Sequence, residues 1–149
     1  MTTPKLHENR LTPDYKAVLR VVARYRFLTI GQLQACLGGL SYAQAKWILF
    51  KLWKHGFLER LILTKAARRI TLIYVFALSR HGARQLVLDS GLNRIFYIKA
   101  GCKRSTVFLE HTILVNNFRI CLALLERSSK TFRLESWKQA KQEVKVNLN

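Results

Sequence analysis

Apolar positions along this chain follow a period near 3.6 from residue 15 to residue 52, change to a β-like pattern over 57–78, and return to the helical period after 79. Thr12, Pro13 and Asp14 supply an N-cap, a proline at the first helical position and an acid in the positive first turn. Tyr15, Val18, Leu19 and Val22 then form one stripe, which predicts a helix ending near Tyr25. Thr29 with Gln32, and Ser41 with Gln44, have the spacing of capping boxes and predict two more helix starts. The second helix, over 30–37, is stopped by Gly38 and Gly39; the third runs from Ser41 to His55 and is stopped by Gly56.

Residues 57–64 and 70–78 are rich in β-branched and aromatic side chains and predict two strands joined by a basic tip. Ser79 caps a fourth helix that ends near Gly91, and a basic connector with a short strand at 95–98 follows. A long amphipathic helix is predicted over residues 106–127, with Leu109, Ile113, Leu114, Phe118, Cys121, Leu122 and Leu125 on its apolar stripe. Residues 132–137 read as a strand, and 143–149 alternate like a lone one. The expected fold class is α+β, mostly α: a winged helix-turn-helix with a two-stranded β wing and an additional C-terminal helix. The expected organisation is a flexible N-terminus (1–10), the winged domain (11–91), connector with long helix and strand (92–137), and a polar tail or docking strand (138–149).

Charge sharpens this picture. Among 149 residues, Lys and Arg number 26 against 8 Asp and Glu, giving +18 and a pI of about 10.6. Such a globule repels itself, whereas on nucleic acid each phosphate neutralised releases counterions, so double-stranded DNA is the expected partner. An anionic membrane surface ranks second, but no unbroken apolar run nears about 20 residues, and no membrane partner is expected. Residues 1–5 have no apolar signal core, so the chain is expected to be cytoplasmic. Cys36, Cys102 and Cys121 are odd in number and far apart, and His7, His55, His81 and His111 are scattered, so no metal or cofactor is expected.

The third helix places Ala45, Ile48, Leu49 and Leu52 on one side and Gln44, Trp47, Lys51 and Lys54 on the other. It has no acid between Ser41 and His55, unlike a solvated helix that mixes signs. Tyr42, Gln44, Lys46, Trp47, Lys51 and Lys54 are the candidate major-groove residues, and Lys65, Arg68 and Arg69 at the hairpin tip the candidate backbone or minor-groove contacts. Gln44 is the residue best suited to a base edge, since a carboxamide can pair with adenine. The 106–127 stripe needs a cover, which is either the body of the domain or a second copy in a homodimer. Glu143 and Lys145 mimic a nuclease E-x-K pair, but only Glu110 and Glu135 offer a second carboxylate, and no catalysis is expected.

Several segments resemble the plasmid replication-relaxation winged-helix proteins: Leu11-Thr12-Pro13-Asp14, Arg24-Tyr25-Arg26-Phe27-Leu28-Thr29, Gln32-Leu33, Leu58-Glu59-Arg60, and Tyr74 to Ser79 followed by Gly82-Ala83-Arg84. Leu109-Glu110-His111-Thr112 with Val115-Asn116-Asn117-Phe118-Arg119 is similar to that family's second block, and the likeness spans about 11–137. The first block also suits MarR- or PadR-type transcriptional regulators. The resemblance implies a DNA-binding protein of plasmids or integrative conjugative elements with a role in replication or mobilisation; the alternative is an adaptor with only non-specific DNA affinity that recruits a replication or conjugation protein through the 106–127 helix and the terminal strand.

Overall fold

The computed structural model describes residues 13–66, 70–91 and 94–133. Within them, α1 (Pro13–Tyr25), β1 (Leu28–Thr29), α2 (Ile30–Cys36), α3 (Tyr42–Lys54), β2 (Leu58–Ala66), β3 (Ile70–Leu78), α4 (Arg80–Ser90) and α5 (Thr106–Ser128) follow in order. The fold is α+β and mostly α, with the winged-helix arrangement expected. Both capping boxes form: Gln32 Oε1 accepts the Thr29 N–H at 3.1 Å, and Gln44 Oε1 accepts the Ser41 N–H at 2.9 Å. The Thr12 cap, most of the 132–137 segment and the terminal alternation lie outside the described residues.

The sheet has three strands rather than two, in the antiparallel order β1-β3-β2. Leu28 pairs with Phe76 and Thr29 with Val75, adding to the long β2–β3 hairpin a two-residue strand too short to show a period. Alternation gives the sheet two buried faces. Leu58, Phe76 and Leu78 join the core with α1, α2 and α3, while Leu61, Leu63, Val75 and Ala77 pack on Phe27, Ile98 and Leu109. The 95–98 segment is irregular, not a strand. Its Ile98 N–H donates to Leu78 O at 3.0 Å and its side chain plugs the second core.

Helix α4 sits where it does because residue 82 is glycine. A Cβ there would lie 2.1 Å from the Phe57 carbonyl oxygen, closer than any side chain can come. The Ser79 hydroxyl caps α4 by accepting the Gly82 N–H at 3.0 Å and itself donates to Gly56 O. Gly56 takes φ 79° and ends α3 as its place after His55 predicts. Lys16 and Asp89 tie α1 to α4 at 3.3 Å, the one ion pair among the described residues.

Helix α5 packs on a different face from the one expected. Its buried residues are Leu109, Thr112, Asn116 and Ile120, with Ile113 half-buried beside them. Leu114, Phe118, Cys121 and Leu125 point outward, on about the opposite side of the helix. The apolar stripe misleads because the inner face includes polar residues with structural work to do. Asn116, fully buried, donates through Nδ2 to Tyr25 O at 3.1 Å and Phe27 O at 2.7 Å, satisfying carbonyls where α1 turns into β1; its Oδ1 has no hydrogen-bond partner among the described residues. By length and composition α5 is apolar enough to cross a membrane, yet its inner face is bound into the domain by these polar contacts.

Candidate nucleic-acid interface

Helix α3 buries Ala45, Ile48, Leu49 and Leu52 and turns its remaining faces outward, as its spacing requires. Tyr42, Gln44, Lys46, Trp47 and Lys54 are exposed, with Tyr42 at 53% and Trp47 at 59%. None of these cations has a carboxylate partner among the described residues. Gln44 is already half-committed: its Oε1 belongs to the cap, which leaves the Nε2 hydrogens to donate elsewhere.

Lys51 differs from its neighbours. It is half-buried, with Nζ 4.4 Å from the centre of the Trp47 ring and 5.4 Å from that of Tyr15, so cation–π attraction holds it toward α1. Its ammonium therefore braces Trp47 as well as adding charge. Phe50 is not a surface aromatic. It meets Tyr74, Phe76 and Trp53 edge to face with centroids 5.2, 5.7 and 5.9 Å apart, and fixes the angle between α3 and the wing.

Arg60 was missed in the sequence and is the best-held cation of the site. Its guanidinium carbon lies 3.8 Å from the Trp53 ring centre, 5.0 Å from Tyr74 and 5.5 Å from Phe50. The signal was the alternation of β2, which places residue 60 on the α3-facing side with Leu58, Ile62 and Thr64. A stacked guanidinium keeps its N–H edge available, and its planar fork suits phosphate. Arg60 thus stands at the root of the wing, between it and α3.

Further out, Ile62 and Leu72 are 49% and 51% exposed on the hairpin. Lys65 pairs through its backbone with Thr71, while Arg68 and Arg69 lie outside the described residues. The structure thus brings the α3 residues together and joins them to the wing root through Phe50, Trp53 and Arg60. On the other side, an open groove of about 850 Å³, lined by Tyr42, Lys46, Leu72, Cys121 and Leu124 among others, lies between the start of α3 and α5.

A family model described as Replication-relaxation matches residues 19–148. No curated protein and no solved structure matches the chain.

Proposed function

Because that match spans most of the chain, the protein belongs to the replication-relaxation family, and from that membership together with the α3 face we propose that it binds double-stranded DNA in the replication or mobilisation of a plasmid or related element. The observation that carries this reading is the acid-free outward surface of α3, on which Gln44, Lys46 and Lys54 are exposed, with Arg60 stacked on Trp53 at the wing root and no ion pair to any of these cations among the described residues. In this reading α3 enters the major groove, the lysines and Arg60 hold phosphates, and Gln44 donates through Nε2 to a base edge. The wing, with Lys65, Arg68 and Arg69, follows the adjacent backbone. The protein acts in the cytoplasm and without catalysis, as a regulator or accessory factor.

The outward face of α5 favours a second copy as its cover. Val107, Leu114 and Cys121 recur every seven residues, and the stripe they form with Leu125 carries no Lys or Arg in a chain of +18. Pairing along this uncharged strip avoids the repulsion that the cationic faces would impose. Sedimentation of the full chain and of Leu114→Glu tests it: a dimer lost in the variant supports the pairing, and a monomer in both removes it.

The DNA reading is tested by fluorescence anisotropy of the full chain on a duplex from its own upstream or origin region and on a scrambled duplex, over a salt series. A preference of roughly a thousandfold or more at physiological salt marks a sequence-specific binder. Equal affinities with the same steep salt slope would mean generic charge and would discard base reading by α3.

A further inference from the structure

We propose that the protein has a second anionic-ligand site, separate from α3 and the wing, that takes the clustered phosphates of a nucleotide, either free or at the end of a single strand. A cavity of about 540 Å³ lies between the C-terminal half of α1, the end of α4, the connector and α5. Its rim holds five arginines, Arg20, Arg24, Arg26, Arg94 and Arg119, and no acidic side chain among the described residues lines it. Its floor includes Leu86, Ile95 and Phe96. Guanidinium forks around an apolar, aromatic floor match a ligand with phosphates at one end and a flat ring at the other.

The backbone supplies a second, independent observation. Five described residues have positive φ, and four of them are Gly39, Gly56, Gly91 and Gly101; the fifth is Arg26, at φ 67°. The Phe27 N–H donates back to Tyr25 O at 2.8 Å around it, so Arg26 is the centre of a three-residue turn of the rare, strained hand. A side chain is kept where glycine would be easier. The Arg26 guanidinium stacks 4.9 Å from the Phe96 ring centre, on the cavity floor, and has no carboxylate partner among the described residues. Stacking at an exposed site offsets such strain at best, so packing alone does not account for arginine here.

Charge crowding agrees with the geometry. Arg119 lies 4.7 Å over the Tyr25 ring and donates to Arg24 O at 3.4 Å. Burial pushes its pKa down, and the Arg24 and Arg26 cations push the same way. Guanidinia that weaken one another are stabilised together by a multivalent anion, which each can contact through a charge-assisted hydrogen bond.

The test is calorimetric titration of the full chain with inorganic triphosphate, ATP and a 5′-phosphorylated single-stranded oligonucleotide. One ligand per chain is expected, with affinity reduced roughly tenfold by Arg26→Gly and by Arg94→Gln, as loss of one charge-assisted bond implies. Arg26→Gly removes a strained residue, so its melting temperature should not fall, which separates lost binding from lost fold. Lys54→Ala should leave triphosphate binding unchanged, and Arg94→Gln should leave duplex binding unchanged, so this proposal and the duplex reading fail separately. Tighter binding of ATP identifies a free nucleotide, and tighter binding of the oligonucleotide a strand end. Affinity unaltered in both arginine variants, or lowered equally by Lys54→Ala, would overturn the site.

Discussion

Replacing Gln44 by Glu separates the two tasks this residue is given. The cap needs only an acceptor at the third helical position, and a carboxylate provides one for the Ser41 N–H in place of the amide oxygen now at 2.9 Å. The first turn of α3 contains no acid, so the new charge also meets an unopposed helix N-terminus, worth about 0.3–1 kcal/mol. For a chain of this length that is a rise in melting temperature of roughly 1–4 °C. DNA binding should move the other way. The Nε2 donor is lost, which costs about 1–3 kcal/mol if it reads a base, or roughly 5- to 150-fold in affinity for the preferred duplex. The added negative charge beside the phosphates should also reduce the salt slope by about 0.9. Thermal melting followed by anisotropy on preferred and scrambled duplexes checks both halves. A variant that melts earlier contradicts the cap argument. One that binds both duplexes like the parent protein would falsify the placement of α3 in the groove.

Lys54→Ala should weaken preferred and scrambled duplexes by the same factor and lower the salt slope by about 0.9, because an ammonium on phosphate carries no sequence information. Gly82→Ala should destabilise by about 1–3 kcal/mol in urea unfolding, since its Cβ would stand 2.1 Å from the Phe57 carbonyl; unchanged stability would mean that α4 docks more loosely than described. Asn116→Asp keeps the shape of the side chain but removes its N–H donors, so it should cost at least as much as Asn116→Ala, about 1–3 kcal/mol from the deserted Phe27 carbonyl. An Asp variant as stable as the parent protein would refute the clamp.

What could be read from the sequence was what depends on neighbours along the chain. The capping pairs Thr29 with Gln32 and Ser41 with Gln44, the stop at Gly56 and the four-residue spacing of Ala45 and Leu49 are local, and each gave its element correctly. The failures involve residues whose roles are set from a distance. Strand β1 exists only because Leu28 finds Phe76, and α5 turned its polar Asn116 inward because carbonyls 89 and 91 positions away needed donors. The site divides along the same line. The lysines of α3 were visible by periodicity, while Arg60 became visible only when Trp53, Tyr74 and Phe50 closed around it.

The Gln32 side chain has a consequence beyond capping. While its oxygen starts α2, its nitrogen donates to Ile113 O at 2.9 Å and Asn117 Oδ1 at 2.8 Å on α5. One amide therefore fastens the first half of the helix-turn-helix to the long helix, with only the turn at Gly38 and Gly39 between α2 and α3. A partner seated on the outer side of α5 would hold one end of a lever whose other end is α3. If two copies pair there and α3 binds DNA as proposed, the distance between their two α3 helices is a gauge fixed by this joint, and the spacing of the DNA half-sites is the length it measures.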